Sequence, residues 1–202
     1  MVPLEKISTP TRDPLRAFVA VEVADDYATA LQSTFRQGLQ TRLEASWQPI
    51  PARNYHITLV FLGRIAAQQL PNIESVLELC TNHRPFTAEV SEINYLSPRR
   101  GDVLAAIIGS EGALSLASMQ SELQASMTNW IERPGNNRFR PHITLARLKK
   151  SHRRQPATSL TECLPAAISM RPLAIRSVAL FESQLTSEGS IYRALSRVPL
   201  AG

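Results

Sequence analysis

The sequence predicts an α+β fold: antiparallel sheets with helices packed outside. Three observations carry that prediction. Short β-branched or aromatic runs alternate with stretches of helical period, and several β–β connections are too short for a parallel crossover. The third is a repeat: His56-Ile57-Thr58-Leu59 returns verbatim as His142-Ile143-Thr144-Leu145. A doubly wound parallel sheet fits the short connections poorly. The repeat adds two pseudo-symmetric lobes with a central cleft between the two motif strands.

Taken in order, residues 1–14 read as a polar, proline-punctuated lead-in, and residues 15–202 as one bilobal domain. Residues 15–23 (LRAFVAVEV) form a short apolar run suited to a central strand. Asp25 or Asp26 can cap the helix that follows, whose Tyr27, Leu31, Phe35, Leu39 and Leu43 recur every fourth residue. Residues 54–62 give a strand closed by Gly63, and Leu70, Ile73, Val76 or Leu77, and Cys80 mark a helix over 68–80. Strands over 86–96 and 103–108 flank the turn-rich stretch 97–102. A helix over 113–131 turns Leu116, Met119, Leu123, Met127 and Trp130 inward and is broken at 134–137. The strand 140–148 precedes a basic, polar loop over 149–165, and strands 171–181 and 191–198 close the chain around Glu188-Gly189.

Composition narrows the class. The chain has 202 residues, 44% hydrophobic and 19% charged, enough apolar content to bury a core. No run approaches the roughly 18 apolar residues of a membrane span, and the N-terminus shows no secretory h-region, so a cytoplasmic protein without membrane association is expected. Cys80 and Cys163 are the only cysteines, with no CxxC spacing; two reduced, buried thiols are the expectation. The net charge is +5, and the cations are nineteen arginines against three lysines. Arginine's planar fork suits phosphate, so the charge is compatible with a nucleic-acid partner.

The repeat points to chemistry. At ordinary residue frequencies, three matching positions after a histidine have odds of roughly one in a few thousand per histidine pair, so duplication explains it better than chance. Both copies sit in strands, where alternation puts His56 with Thr58, and His142 with Thr144, on one face. The Ile and Leu positions take the other face and pack. Two such polar faces opposed make a cleft of two imidazoles and two hydroxyls. Zinc wants three or four protein ligands, and no carboxylate or thiol recurs beside either motif, so neither a metal nor another cofactor is expected. A neutral imidazole can deprotonate water while a protonated one protonates a leaving oxygen. The hydroxyls, with an arginine, can hold phosphate oxygens. Such a pair suits displacement at phosphorus in a strained cyclic ester, with a bell-shaped pH dependence centred where imidazoles titrate, near pH 6.5. The spacing does not distinguish acid from base.

At these residues the sequence resembles the bacterial and archaeal RNA 2′,3′-cyclic phosphodiesterases, also called 2′-5′ RNA ligases or LigT-like proteins, of the two-histidine phosphoesterase superfamily. Its paired His-x-Thr-x motifs are matched at 56–59 and 142–145, and the likeness runs from about residue 15 to residue 200. It takes in Arg16-Ala17-Phe18-Val19-Ala20-Val21, Trp47, Phe61-Leu62-Gly63, Arg138-Phe139-Arg140-Pro141, Leu180-Phe181-Glu182-Ser183 and Ile191-Tyr192. The resemblance implies a bilobal α+β fold and hydrolysis of RNA 2′,3′-cyclic phosphate ends to 2′-phosphates. It implies His56 as proton donor to the 3′ oxygen, His142 as proton acceptor from water, and Thr58, Thr144 and Arg147 at the phosphate. RNA, an oligonucleotide or a small cyclic nucleotide is the implied partner of a monomer. Ligation or binding of RNA ends, using the same histidines, is the alternative.

Arg147 poses a geometric problem. It lies five residues after His142, an odd step, so strict alternation puts it on the opposite face unless the strand twists, bulges or ends. The first motif has Phe61 at the corresponding position. His83 and His152 fall in polar segments and read as surface residues. Trp47 and Phe139 read as core or cleft wall, with base stacking the other option. Lys149, Lys150, His152, Arg153 and Arg154 read either as an RNA-steering patch or as a solvated run.

Overall fold

In the computed structural model, the described residues are 4–11, 13–38, 47–96, 103–132, 138–149, 170–187 and 189–202. Two antiparallel sheets dominate. The first has five strands in the order β1 (Glu5–Lys6), β11 (Gly189–Pro199), β10 (Ser177–Thr186), β2 (Leu15–Glu22), β4 (His56–Ile65). The second has four, in the order β3 (Trp47–Pro49), β8 (His142–Leu148), β7 (Val103–Ile108), β6 (Val90–Tyr95). A small pair, β5 (Phe86–Ala88) with β9 (Leu173–Ile175), completes the strands among the described residues. Every pairing is antiparallel, and the class read from the connection lengths is the class observed.

Among the described residues the α-helices are α1 (Asp25–Gly38), α2 (Leu70–Leu77) and α3 (Ser110–Ser126). They bury Tyr27, Leu31 and Phe35, then Ile73 and Leu77, then Leu116, Met119 and Leu123. These join Val19, Val21, Ile57, Leu59, Ile143 and Leu145 in one continuous apolar cluster that spans both sheets. A second cluster, Phe18, Ala20, Ala179 and Phe181, lies on the other face of the five-stranded sheet. Alternation along β2 thus serves two purposes: Val19 and Val21 face the core, while Phe18 and Ala20 face away from it.

The departures from expectation have physical reasons. The strand ending at Gly63 runs on to Ile65, because Gly63 takes φ +84 and the chain bulges rather than turns. The apolar stretch 86–96 divides into β5 and β6, which pair with different strands. Residues 171–181 likewise divide between β9 and β10. The helix over 68–80 is one α-helical segment flanked by 3-10 turns at Ala67–Gln69 and Glu78–Asn82. The polar lead-in contributes β1, and Thr11 donates from its N–H and hydroxyl (2.7 Å for the latter) to the buried Glu182 carboxylate. A buried charge needs such donors. Leu39 and Leu43, the stretch 97–102, residues 134–137, most of the basic loop with His152, Cys163 and Glu188 lie outside the described residues.

Candidate active site

β4 and β8 pack against one another, and this contact brings the two motifs together. Ile57, Leu59, Ile143 and Leu145 are at most 4% exposed. His56, Thr58, His142 and Thr144 are half-buried and line one cavity of about 700 Å³.

Each imidazole is held in the same way. His56 Nδ1–H donates to the carbonyl of Asn54 at 2.7 Å, and His142 Nδ1–H to the carbonyl of Arg140 at 2.7 Å. A carbonyl only accepts, so both rings carry their proton on Nδ1 when neutral, and both keep the Nε2 lone pair free. The residues supplying the carbonyls are themselves anchored. Asn54 Nδ2 donates to Ser190 O at 2.7 Å in β11, and Arg140 reaches Glu92 in β6 at 3.4 Å.

The surroundings break the symmetry. His56 is seated against Phe18 (ring centroids 4.9 Å) and edge-on to Tyr192 (5.0 Å). Glu22 stands opposite His56 in register, but its carboxylate is held by Arg197, with Nη2 at 2.8 Å. Burial pushes the His56 pKa down to about 4, partly offset by the Asn54 carbonyl and reinforced by the charges of His142 and Arg147. Burial also lowers His142, reinforced by Arg147 and Arg140 and opposed by the Arg140 carbonyl. Both shifts favour the neutral ring at neutral pH.

The odd step to Arg147 is resolved by a bulge. Ala105 pairs with Thr144 and Leu104 with Ala146, so Leu145 has no ladder partner of its own. After this extra residue Arg147 returns to the cavity wall. The first motif does the same: Ala20 pairs with Thr58 and Val19 with Val60, leaving Leu59 as the extra residue. There the fifth position holds Phe61, 68% exposed on the cavity wall. Strict alternation along β4 does not place it there. Counting from Arg147 with the bulge included finds it.

The other candidates settle elsewhere. Trp47 is buried and packs on Tyr95 at 5.9 Å, so it is a core residue. Phe139 is half-buried against the core. His83 pairs with Glu122 at 2.8 Å, away from the cleft. Cys80 is buried, and burial pushes its thiol up to about 12, which leaves it unreactive. Among the described residues no three His, Cys, Asp or Glu side chains converge, and no helix is long and apolar enough to cross a membrane.

Residues 30–182 match the family model described as the 2′-5′ RNA ligase superfamily. A protein of Thermus thermophilus named RNA 2′,3′-cyclic phosphodiesterase is 29% identical, covering 93% of this chain and 91% of its own. One of the same name from Aeropyrum pernix is 30% identical over 73% of this chain and 83% of its own. Among solved structures, TT0787 of Thermus thermophilus superposes with TM-score 0.71 at 26% identity, covering 93% of this chain and 99% of that one. LigT of E. coli complexed with 3′-AMP gives 0.72 at 20% identity, covering 94% and 100%, a likeness of fold.

Proposed function

Because this chain belongs to the 2′-5′ RNA ligase superfamily, we propose that it hydrolyses RNA 2′,3′-cyclic phosphate ends to 2′-phosphates by acid–base catalysis between His56 and His142. The observation that carries the reading is the matched pair of Nδ1–H bonds, which leaves Nε2 uncommitted on two rings that line one cavity. Relatives named RNA 2′,3′-cyclic phosphodiesterase support the substrate class.

In this reading a water attacks phosphorus and gives its proton to Nε2 of His142. The P–O3′ bond breaks as His56 Nε2–H protonates the departing 3′ oxygen. The product carries a 2′-phosphate and a 3′-hydroxyl, and the proton returns from His142 to His56 through solvent. Thr58, Thr144 and Arg147 hold the non-bridging oxygens, where charge-assisted bonds strengthen as charge develops. Phe61 offers a face to the terminal base. His56, at about 4, needs help to hold a proton, and the bound phosphate anion supplies it by favouring the charged ring. The groups that do this work are imidazole, hydroxyl and guanidinium, and the reading assigns no step to a metal.

The test is product analysis of an oligonucleotide ending in a 2′,3′-cyclic phosphate, incubated with protein in excess EDTA. A 2′-phosphate terminus at an undiminished rate is the expected result. Loss of turnover in EDTA with recovery on added zinc or manganese would sink the acid–base assignment. Intact cyclic ends, ligated to a 5′-hydroxyl RNA when one is supplied, would replace hydrolysis by ligation.

A further inference from the structure

The cleft continues beyond the catalytic pair. Along β4 its face carries His56, Thr58, Phe61 and then Arg64. Arg64 pairs directly across the ladder with Arg16 of β2, two residues before Phe18, and both arginines line the cleft. Like charges directly opposite on antiparallel strands repel. Among the described residues neither arginine has an ion-pair partner. The one carboxylate in the cavity wall among the described residues, Glu132, accepts the Arg64 backbone N–H at 3.1 Å instead. Around His56, Tyr192 packs on the ring and Ser190 accepts from Asn54, and neither brings a charge. The cleft therefore has a direction.

We propose that Arg16 and Arg64 form a second anion subsite for the phosphodiester on the 5′ side of the terminal nucleotide, which makes an RNA strand the preferred substrate over a lone cyclic mononucleotide. The inference rests on the cyclic-phosphate reading above. It gives β4 an ordered series of contacts: scissile phosphate at Thr58, base at Phe61, next phosphate at Arg64 and Arg16. From Thr58 to Arg64 is four ladder steps once the two bulged residues are discounted, roughly 13 Å at strand rise. One nucleotide and the length of an arginine side chain fill that span. A bridging anion turns the repulsion between the two guanidinium groups into shared attraction.

The experiment uses two dinucleotides ending in 2′,3′-cyclic phosphate, identical except that one has a neutral methylphosphonate linkage. For the wild type, kcat/KM should fall about tenfold on losing the linkage charge, the scale of one charged hydrogen-bond contact. Its dependence on log salt should be steeper for the charged substrate by about 0.7, the release expected for one single-strand phosphate. In Arg16→Gln/Arg64→Gln the two substrates should become equal, Arg16→Lys/Arg64→Lys should restore part of the difference, and Arg176→Gln should keep all of it. Calorimetric binding of the corresponding 2′-phosphate products forms a second arm. A wild type indifferent to linkage charge in both arms, or a double Gln variant that keeps the preference, overturns the subsite. If neither dinucleotide is hydrolysed, the catalytic reading fails, and the binding arm still decides the subsite.

Discussion

A neutral imidazole that commits its Nδ1–H to a carbonyl has one nitrogen left for chemistry, and in both His56 and His142 that nitrogen is Nε2. The two rings are nonetheless not equivalent. His56 sits against Phe18 and Tyr192, and burial lowers it to about 4 and lowers His142 as well. In the proposed mechanism, donation from His56 draws on a singly protonated pair, and the incoming phosphate anion favours the proton on His56. His56→Ala and His142→Ala should each lower kcat by roughly two to four orders of magnitude, the scale of losing a positioned acid or base. Replacing the bridging 3′ oxygen with sulfur separates the roles, because a thiolate leaves without a proton. With that substrate His56→Ala should recover most of its activity and His142→Ala none, and rescue of His142→Ala instead would reverse the assignment. Thr58→Ala and Thr144→Ala should cost less, about one to two orders in kcat/KM, as a lost phosphate hydrogen bond does.

At the scale of elements, both motif strands bulge at the last motif position, Leu59 and Leu145. The bulge keeps the isoleucine and leucine in the core and returns the fifth residue to the cleft. β4 bulges again between Phe61 and Gly63, where φ is +84 and an added Cβ would lie 2.5 Å from Glu132 Cβ. Gly63→Ala should therefore destabilise by about 1–3 kcal/mol, read as a lower urea midpoint at unchanged m. A midpoint equal to wild type would show that this corner tolerates a side chain. The Asn54 clamp is a second prediction at this scale. Asn54→Ala frees the turn from β11 and loosens the carbonyl that orients His56, so kcat should fall about tenfold with KM little changed. A KM change alone would argue for substrate contact. Short, β-branched apolar runs made β2 and β7 legible, since Val19, Val21, Leu104 and Ile107 lie in stretches too short for a buried helix. The apolar pattern could not reveal β1 or β3. These are two- and three-residue strands with no period, defined by what they pair with, β11 and β8. The motif's polar and apolar faces followed from alternation. The place of Arg147 required a bulge that no local signal in Leu145 announces.

For the whole molecule, the consequence of joining two sheets at β4 and β8 is that two ionisable groups from distant parts of the chain share one field. Burial lowers both, their charges oppose one another, and Arg147 lowers each further. The bell in kcat/KM, which reports the free enzyme, should therefore peak below pH 6.5, the centre that unperturbed imidazoles would give. Its limbs belong to the pair and to neither ring alone. The profile of kcat reports the occupied site, where the phosphate anion favours the charged ring, so that bell should lie at higher pH. Arg147→Gln removes a repelling charge and should move the kcat/KM bell upward, toward the ordinary imidazole range. The same shifts bear on stability. Between about 4 and 6.5 the unfolded chain binds a proton at residue 56 that the folded chain does not, so stability falls as pH drops through that window. His56→Ala removes this linkage, and its melting temperature should decline less steeply from pH 6.5 to pH 4 than that of the wild type. A kcat/KM optimum at pH 7 or above, together with equal acid sensitivity in the two proteins, would show that the imidazoles remain as basic in the cleft as in water. The aromatic seat of His56 would then have no part in setting the chemistry.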